Sequence, residues 1–112
     1  MGAAVAEATR ENFRDLVSEG VVLVDMWGTS CQTCLALRPA VDKLAEERDD
    51  LKVIALEAPK ARRLCIELKV MSLPAFLLFK DGEEVSRMAS PDLTEDALIE
   101  WLEQSLDQLR EE

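Results

Sequence analysis

Val21-Val22-Leu23-Val24-Asp25-Met26-Trp27-Gly28-Thr29-Ser30-Cys31-Gln32-Thr33-Cys34 runs from four consecutive apolar residues into a pair of cysteines separated by two residues. Three valines and a leucine are too short a run for a buried helix and suit a strand covered on both faces. Gly28, Thr29 and Ser30 predict a turn. Beyond Cys34, the residues Leu35, Leu37, Ala40, Val41, Leu44 and Ala45 recur at helical spacing, so the cysteines stand at the mouth of a strand-loop-helix unit.

A thiol in the first turn of a helix lies near unpaired backbone N–H groups and the positive end of the macrodipole, both of which favour thiolate over thiol. This makes Cys31 the candidate nucleophile. Side chains three apart on a helix have Cβ atoms roughly 5–6 Å apart, near enough for a small adjustment to close a disulfide, so Cys34 is the candidate resolving thiol. Other uses of the pair stay open at this point. Tetrahedral zinc wants four ligands, whereas this chain has three cysteines and no histidine, so a carboxylate would have to join. A c-type haem site needs a histidine after the second cysteine, where Leu35 stands. A purely structural disulfide would also satisfy so short a motif.

The stretch resembles the thioredoxin family, whose pattern is an apolar strand, an aspartate, an aromatic, Trp and then W-C-G-P-C. Val22-Leu23-Val24-Asp25-Met26-Trp27, the two cysteines and Pro39 match it. A second match lies some forty residues on, where Ser72-Leu73-Pro74-Ala75-Phe76-Leu77-Leu78-Phe79-Lys80-Asp81-Gly82 resemble the family's cis-proline strand and hairpin. The similarity covers about residues 10–106. It implies that Asp25 lies buried behind Cys34 and relays its proton. It also implies a cis bond before Pro74, against a base rate of about 5–6% for X–Pro bonds. Leu73 would then offer backbone hydrogen bonds to an extended substrate, in a groove that includes Trp27 and Ser30. The alternative reading makes Asp25 a strand-end residue reaching solvent.

The departures from the pattern are informative. Ser30 stands where the family usually has Trp, and Gln32-Thr33 replace Gly-Pro between the cysteines. Ala55 occupies a third-strand position where many members place a lysine near the aspartate, and Ser90-Pro91 replace a glycine-containing loop beside the substrate groove. A buried Asp25 without a cationic neighbour would favour its protonated form.

Composition bounds the rest. The 112 residues suit a single domain, 1–112, able to bury roughly two-thirds of its unfolded surface. No apolar segment approaches the roughly 20 residues that span a bilayer, and residues 1–8 lack the basic start of a secretory signal and include Glu7. Position 6 is Ala rather than the Ser or Thr of a myristoylation signal. These features predict a cytoplasmic protein, where a cysteine pair is more often catalytic or metal-binding than a permanent staple. A net charge of −10, from 23 acidic and 13 basic side chains, disfavours nucleic acid and anionic membranes as partners. It is read as a solubility feature of a monomer.

Taken in order, residues 3–6 predict a short edge strand, and Thr9 is placed to cap a helix with Phe13, Leu16 and Val17 inward and Gly20 at its end. The helix that follows the cysteines should kink at Pro39 and end near Arg48. Residues 52–57 predict a strand and residues 59–69 a helix that opens on Pro59 and packs Ala61, Leu64, Cys65 and Leu68 on one face, which makes Cys65 a core residue. Residues 75–79 and 83–88 predict a hairpin across Asp81-Gly82. Asp92 and Glu95 suggest a capping box for a last helix with Leu98, Trp101, Leu102, Leu106 and Leu109 buried.

The order of elements is α/β, and the resemblance implies a thioredoxin-like three-layer sandwich whose central mixed sheet is flanked by helices. The implied function is a thiol-disulfide oxidoreductase that reduces protein disulfides through Cys31 and Cys34 and is itself reduced by a thioredoxin-reductase-like donor, with no bound cofactor or metal. The competing reading is a binding or adaptor module that keeps the groove around Pro74 and Trp27 without redox turnover.

Overall fold

The computed structural model describes residues 3–111. The sheet is built on β2 (Val21–Trp27), which lies at its centre between β3 (Lys52–Glu57) and β4 (Ala75–Lys80). The short β1 (Ala6–Ala8) pairs outside β3, and β5 (Glu83–Ala89) outside β4, giving the order β1-β3-β2-β4-β5. The first three strands run parallel and the two hairpin strands antiparallel to their neighbours, as the resemblance implied.

Successive side chains of a strand point to opposite faces, and here that alternation divides the core in two. Val22, Val24 and Met26 join Ile54, Leu77 and Phe79 under α1 (Phe13–Leu16) and α3 (Arg62–Leu68). Leu23 joins Val53, Phe76 and Leu78 under α2 (Gln32–Glu47) and α4 (Glu95–Glu111). Asp25 shares the parity of Leu23, so its carboxyl is directed beneath α2. The result is a three-layer sandwich.

Several boundaries differ from the sequence reading. The first strand is at Ala6–Ala8 rather than residues 3–6, because Ala6 and Ala8 are in register with Ile54 and Leu56, and Ala8 is buried in the core. Thr9 does not cap α1. Its N–H donates to Asn12 Oδ1 at 2.7 Å while Asn12 N–H donates to Thr9 Oγ1 at 3.3 Å, a closed turn that uses both side chains and delays the helix to Phe13. The helix expected over 59–69 is split into a 3₁₀ turn, Ala58–Lys60, and α3, because the chain bends at Ala61 (φ −137°, ψ 47°) to bury both Ala58 and Ala61. α4 starts at a cap on Thr94 rather than Asp92: Ala97 N–H donates to Thr94 Oγ1 at 3.2 Å. Leu93, just before that cap, and Leu98 are buried in the same cluster, a hydrophobic staple that sets where the helix begins.

Other expectations hold. Asp81 and Gly82 turn the hairpin with φ of 49° and 88°, the left-handed pair that matches the twist of the flanking strands. Gly20, at φ 72°, donates its N–H to Asp81 Oδ1 at 2.8 Å and accepts Asp81 N–H at 2.9 Å, which ties the start of β2 to the hairpin. Trp101 is in the core, and its indole N–H donates to Ser86 Oγ at 2.9 Å, so burial leaves no donor unpaired. The bound expected near Arg48 for α2 is met at Glu47, the helix running through Pro39, which is exposed.

Cys65 is buried between α3 and the 3₁₀ turn, and burial pushes its thiol pKa up. In the reduced native protein, alkylation should therefore modify Cys31 first and leave Cys65 unlabelled until the protein is denatured. Comparable labelling rates at the two positions, measured by mass spectrometry, would contradict this packing.

Candidate active site

Cys31 is the N-cap of α2, with extended backbone (φ −94°, ψ 100°). Its Sγ accepts the N–H of Cys34 at 3.1 Å, one of the donors that a helix start leaves without a backbone partner. The same hydrogen bond and the positive end of a 16-residue helix would favour a thiolate at Cys31 when the pair is reduced. The turn before it closes through Cys31 N–H to the Gly28 carbonyl at 3.1 Å. Cys31 and Cys34 are joined by a disulfide, with Cα atoms 5.2 Å apart. Cys31 is half-buried and Cys34 is buried, so the first sulfur is the more accessible.

Gly28 brings a second element to this turn. A Cβ at that position would lie 3.1 Å from Leu73 Cδ1 and 3.7 Å from the Pro59 ring, so any larger residue would press on the end of the Leu73 side chain, which would have to give by a few tenths of an ångström. The Leu73–Pro74 bond is cis, Pro74 is buried and Leu73 half-buried. Beside Leu73 opens an apolar groove of about 360 Å³, with Ile66 and Met71 on its rim 74% and 91% exposed. On the other flank, Thr33 Oγ1 donates to the Pro91 carbonyl at 2.9 Å. Two departures from the family pattern are thus in direct contact. Ser30 is exposed in the turn that precedes Cys31.

Asp25 is 1% exposed, which decides between the two readings of its position in favour of burial. Across the sheet it faces Ala55 on β3 and Phe76 on β4, neither of which offers charge or a side-chain donor, and Oδ1 has no hydrogen-bond partner among the described residues. Loss of solvation pushes its pKa up to about 7. The Arg38 guanidinium opposes that rise, while Glu7 and Asp42 add to it. The expectation that Asp25 lacks a cationic neighbour is therefore corrected: the cation comes from α2 rather than from the third strand.

Arg38 was legible in the sequence only as a residue one turn beyond Cys34. Its guanidinium lies 5.8 Å from the centre of the Trp27 ring, with ion pairs to Glu7 at 2.7 Å and Asp42 at 3.3 Å. The half-buried Trp27 ring is thus covered by Arg38, and its Nε1 has no partner among the described residues. Spacing signals place Arg38 on the face of Cys34, but no local pattern announces Glu7 on the edge strand or Pro91 beyond the hairpin.

Among the described residues no helix is long and apolar enough to cross a membrane. The thioredoxin family model matches residues 4–104. A thioredoxin of Bacillus subtilis (strain 168) is 36% identical over 83 residues, covering 73% of this chain and 80% of that protein. The crystal structure of spinach chloroplast thioredoxin f, short form, has a TM-score of 0.83 at 26% identity, covering 93% of this chain and 95% of that one. A chain in the crystal structure of ferredoxin:thioredoxin reductase with thioredoxin f2 shares the fold at a TM-score of 0.83 and 21% identity, covering 93% and 96%. The family match takes in the central strand, the disulfide and the proline turn together, and the chain belongs to the thioredoxin family of protein thiol-disulfide oxidoreductases.

Proposed function

We propose that this chain works as a single-domain monomer of the cytoplasm, with Cys31 as the attacking thiol, Cys34 as the resolving thiol and Asp25 as the proton acceptor for Cys34. The observation that carries the assignment is the hydrogen bond from Cys34 N–H to Cys31 Sγ at the start of α2, which stabilises charge on the outer sulfur alone. A reducing compartment supports the cyclic use of the pair over a permanent staple.

In the proposed cycle the Cys31 thiolate attacks one sulfur of a substrate disulfide. The substrate S–S bond breaks, a mixed disulfide forms, and the first substrate sulfur leaves as a thiolate and takes a proton. Cys34 then gives its proton to Asp25 and attacks Cys31 Sγ, which breaks the mixed disulfide and expels the second substrate sulfur as a thiolate that takes up a proton. Two electrons pass from the dithiol to the substrate, and the Cys31–Cys34 disulfide is left to be reduced by a disulfide reductase. That a thioredoxin f2 has been crystallised with ferredoxin:thioredoxin reductase supports a partner of this kind. The groove beside Leu73, with the exposed Met71 and Ile66 on its rim, would receive an extended substrate segment, and membership of the family supports Trp27, Ser30 and the backbone of Leu73 as further contacts.

Exchange of Cys34 for Ser should leave attack intact and remove resolution, so mixed disulfides should accumulate on that variant in cell extract and disappear with reductant. The Cys31→Ser variant should trap few. Trapping by Cys31→Ser instead would exchange the two roles, and trapping by neither, with partners retained through reductant, would favour a binding module.

Asp25 also leaves a signature in stability. Because the folded protein holds its proton more tightly than the unfolded chain, whose carboxyl titrates near 3.8, stability should fall as pH rises from about 4 to about 7 and then level off. Each pH unit of separation corresponds to 1.36 kcal/mol, so the Asp25→Asn variant should gain up to about 4 kcal/mol over the parent across that window. Urea denaturation of the oxidised proteins at several pH values measures it; a constant difference would mean that the carboxyl is solvated.

A further inference from the structure

The immediate surroundings of Asp25 contain more acid than base. On its strand neighbours it meets Ala55 and Phe76, which carry no charge. From β1 comes Glu7, and from α2 come Asp42 and Arg38, together with the two sulfurs of the redox pair, which titrate only when reduced. Both acids disfavour an ionised Asp25, and Arg38 is the cation that acts on it. Arg38 is also held in place from three directions. Glu7 Oε2 accepts from Nη2 at 2.7 Å, Asp42 Oδ1 accepts from Nε at 3.3 Å, and the guanidinium lies over Trp27 at 5.8 Å from the ring centre. With 31% of its side chain exposed, it covers the ring while keeping its outer edge in water.

We propose that Arg38 is a positioning residue of the redox site: held over Trp27, which shares the face of Asp25 on β2, and paired with Glu7, which lies in one register row with Ala55 and Asp25, it sets a positive charge from α2 over the sheet face that bears Asp25, where the neighbouring strands supply none. It lies one helical turn beyond Cys34 on the same face of α2, so the residue that resolves the mixed disulfide and the residue that tunes its proton acceptor move as one rigid unit. The Glu7 ion pair further ties this unit to the edge strand. Without Arg38, Glu7 and Asp42 would act on Asp25 uncompensated. The inference rests on the reading of Asp25 as proton acceptor for Cys34.

The test compares the parent with Arg38→Met, which keeps an unbranched apolar stem over Trp27, and Arg38→Lys, which keeps the charge and loses the planar fork. The Asp25 carboxyl is followed by carbon-13 NMR in the oxidised proteins, and the rate of mixed-disulfide resolution is followed from pH 6 to 9. Removal of a nearby opposite charge should raise the carboxyl midpoint by about one pH unit from its value near 7, and Arg38→Lys should restore most of it. For a one-unit rise, the ionised fraction at pH 7 falls from about half to about a tenth, so resolution should slow about fivefold at pH 7 and recover by pH 9. A purely structural role would slow resolution by the same factor at every pH and leave the midpoint in place, and that result would overturn the proposal. In an Asp25→Asn background, Arg38→Met should no longer alter the shape of the rate profile. If Asp25→Asn alone leaves resolution unchanged at all pH values, the proton-acceptor reading fails and Arg38 loses its part in the reaction, while the titration still reads its hold on the carboxyl. An unmoved titration with a slowed Asp25→Asn variant overturns the role of Arg38 alone.

Discussion

The position of β2 at the centre of the sheet is the constraint from which the rest follows. It is hydrogen-bonded to β3 on one side and β4 on the other and covered by helices on both faces, so every residue between Val21 and Trp27 is buried. A strand so enclosed must be apolar at nearly every position. The single acidic residue inside it is therefore placed in a medium that resists its charge, and the chemistry of the site begins with that conflict. The same enclosure ends abruptly at Gly28, where the chain leaves the sheet and turns into α2 with Cys31 at the helix mouth. Rigid strand and rigid helix thus fix the two ends of a short loop.

Much of this was legible from local pattern. The strand at Lys52–Glu57 and the Asp81-Gly82 hairpin appear within a residue of their expected bounds and α2 ends within a residue of its own, whereas β2, read from the apolar run Val21–Val24, continues three residues further through Asp25 to Trp27. The misplacements share a cause: at Ala6–Ala8, Ala61 and Thr94 the boundary is decided by a residue that must be buried against a distant partner, a demand that overrides capping and propensity signals. Thr9 is the same lesson on a smaller scale, since its hydroxyl was read as a helix cap and instead serves a turn with Asn12.

The site divides along the same line. The cysteines, Asp25 and the Leu73-Pro74 pair were picked out by motif and resemblance, and the structure gives them a disulfide, a buried carboxyl and a cis bond. The electrostatic surroundings of Asp25 were not, because Glu7 and Arg38 are 31 residues apart and meet only when β1 has docked beside β3. Ala55 suggested an aspartate without a counter-ion, a fair inference from one strand that fails once a helix packs across it. Exposed ion pairs ordinarily add little to stability. Here one of them borders a buried carboxyl, where its two partners act in opposite directions, Arg38 favouring the ionised form of Asp25 and Glu7 opposing it.

The hydrogen bond from Thr33 to the Pro91 carbonyl has a consequence for how this protein can be engineered. The dipeptide between the cysteines, Gln32-Thr33, forms a short cassette at the mouth of α2. In this chain the cassette has its own anchor on a loop 58 residues away, and Pro at position 33 would have no hydroxyl to reach it. Transplanting Gly-Pro into the cysteine loop would change two segments at once, since the loop around Pro91 would lose a tether as the helix start gained rigidity. Residues 32–33 and 90–91 are better treated as one inheritable unit than as two separate sites of variation.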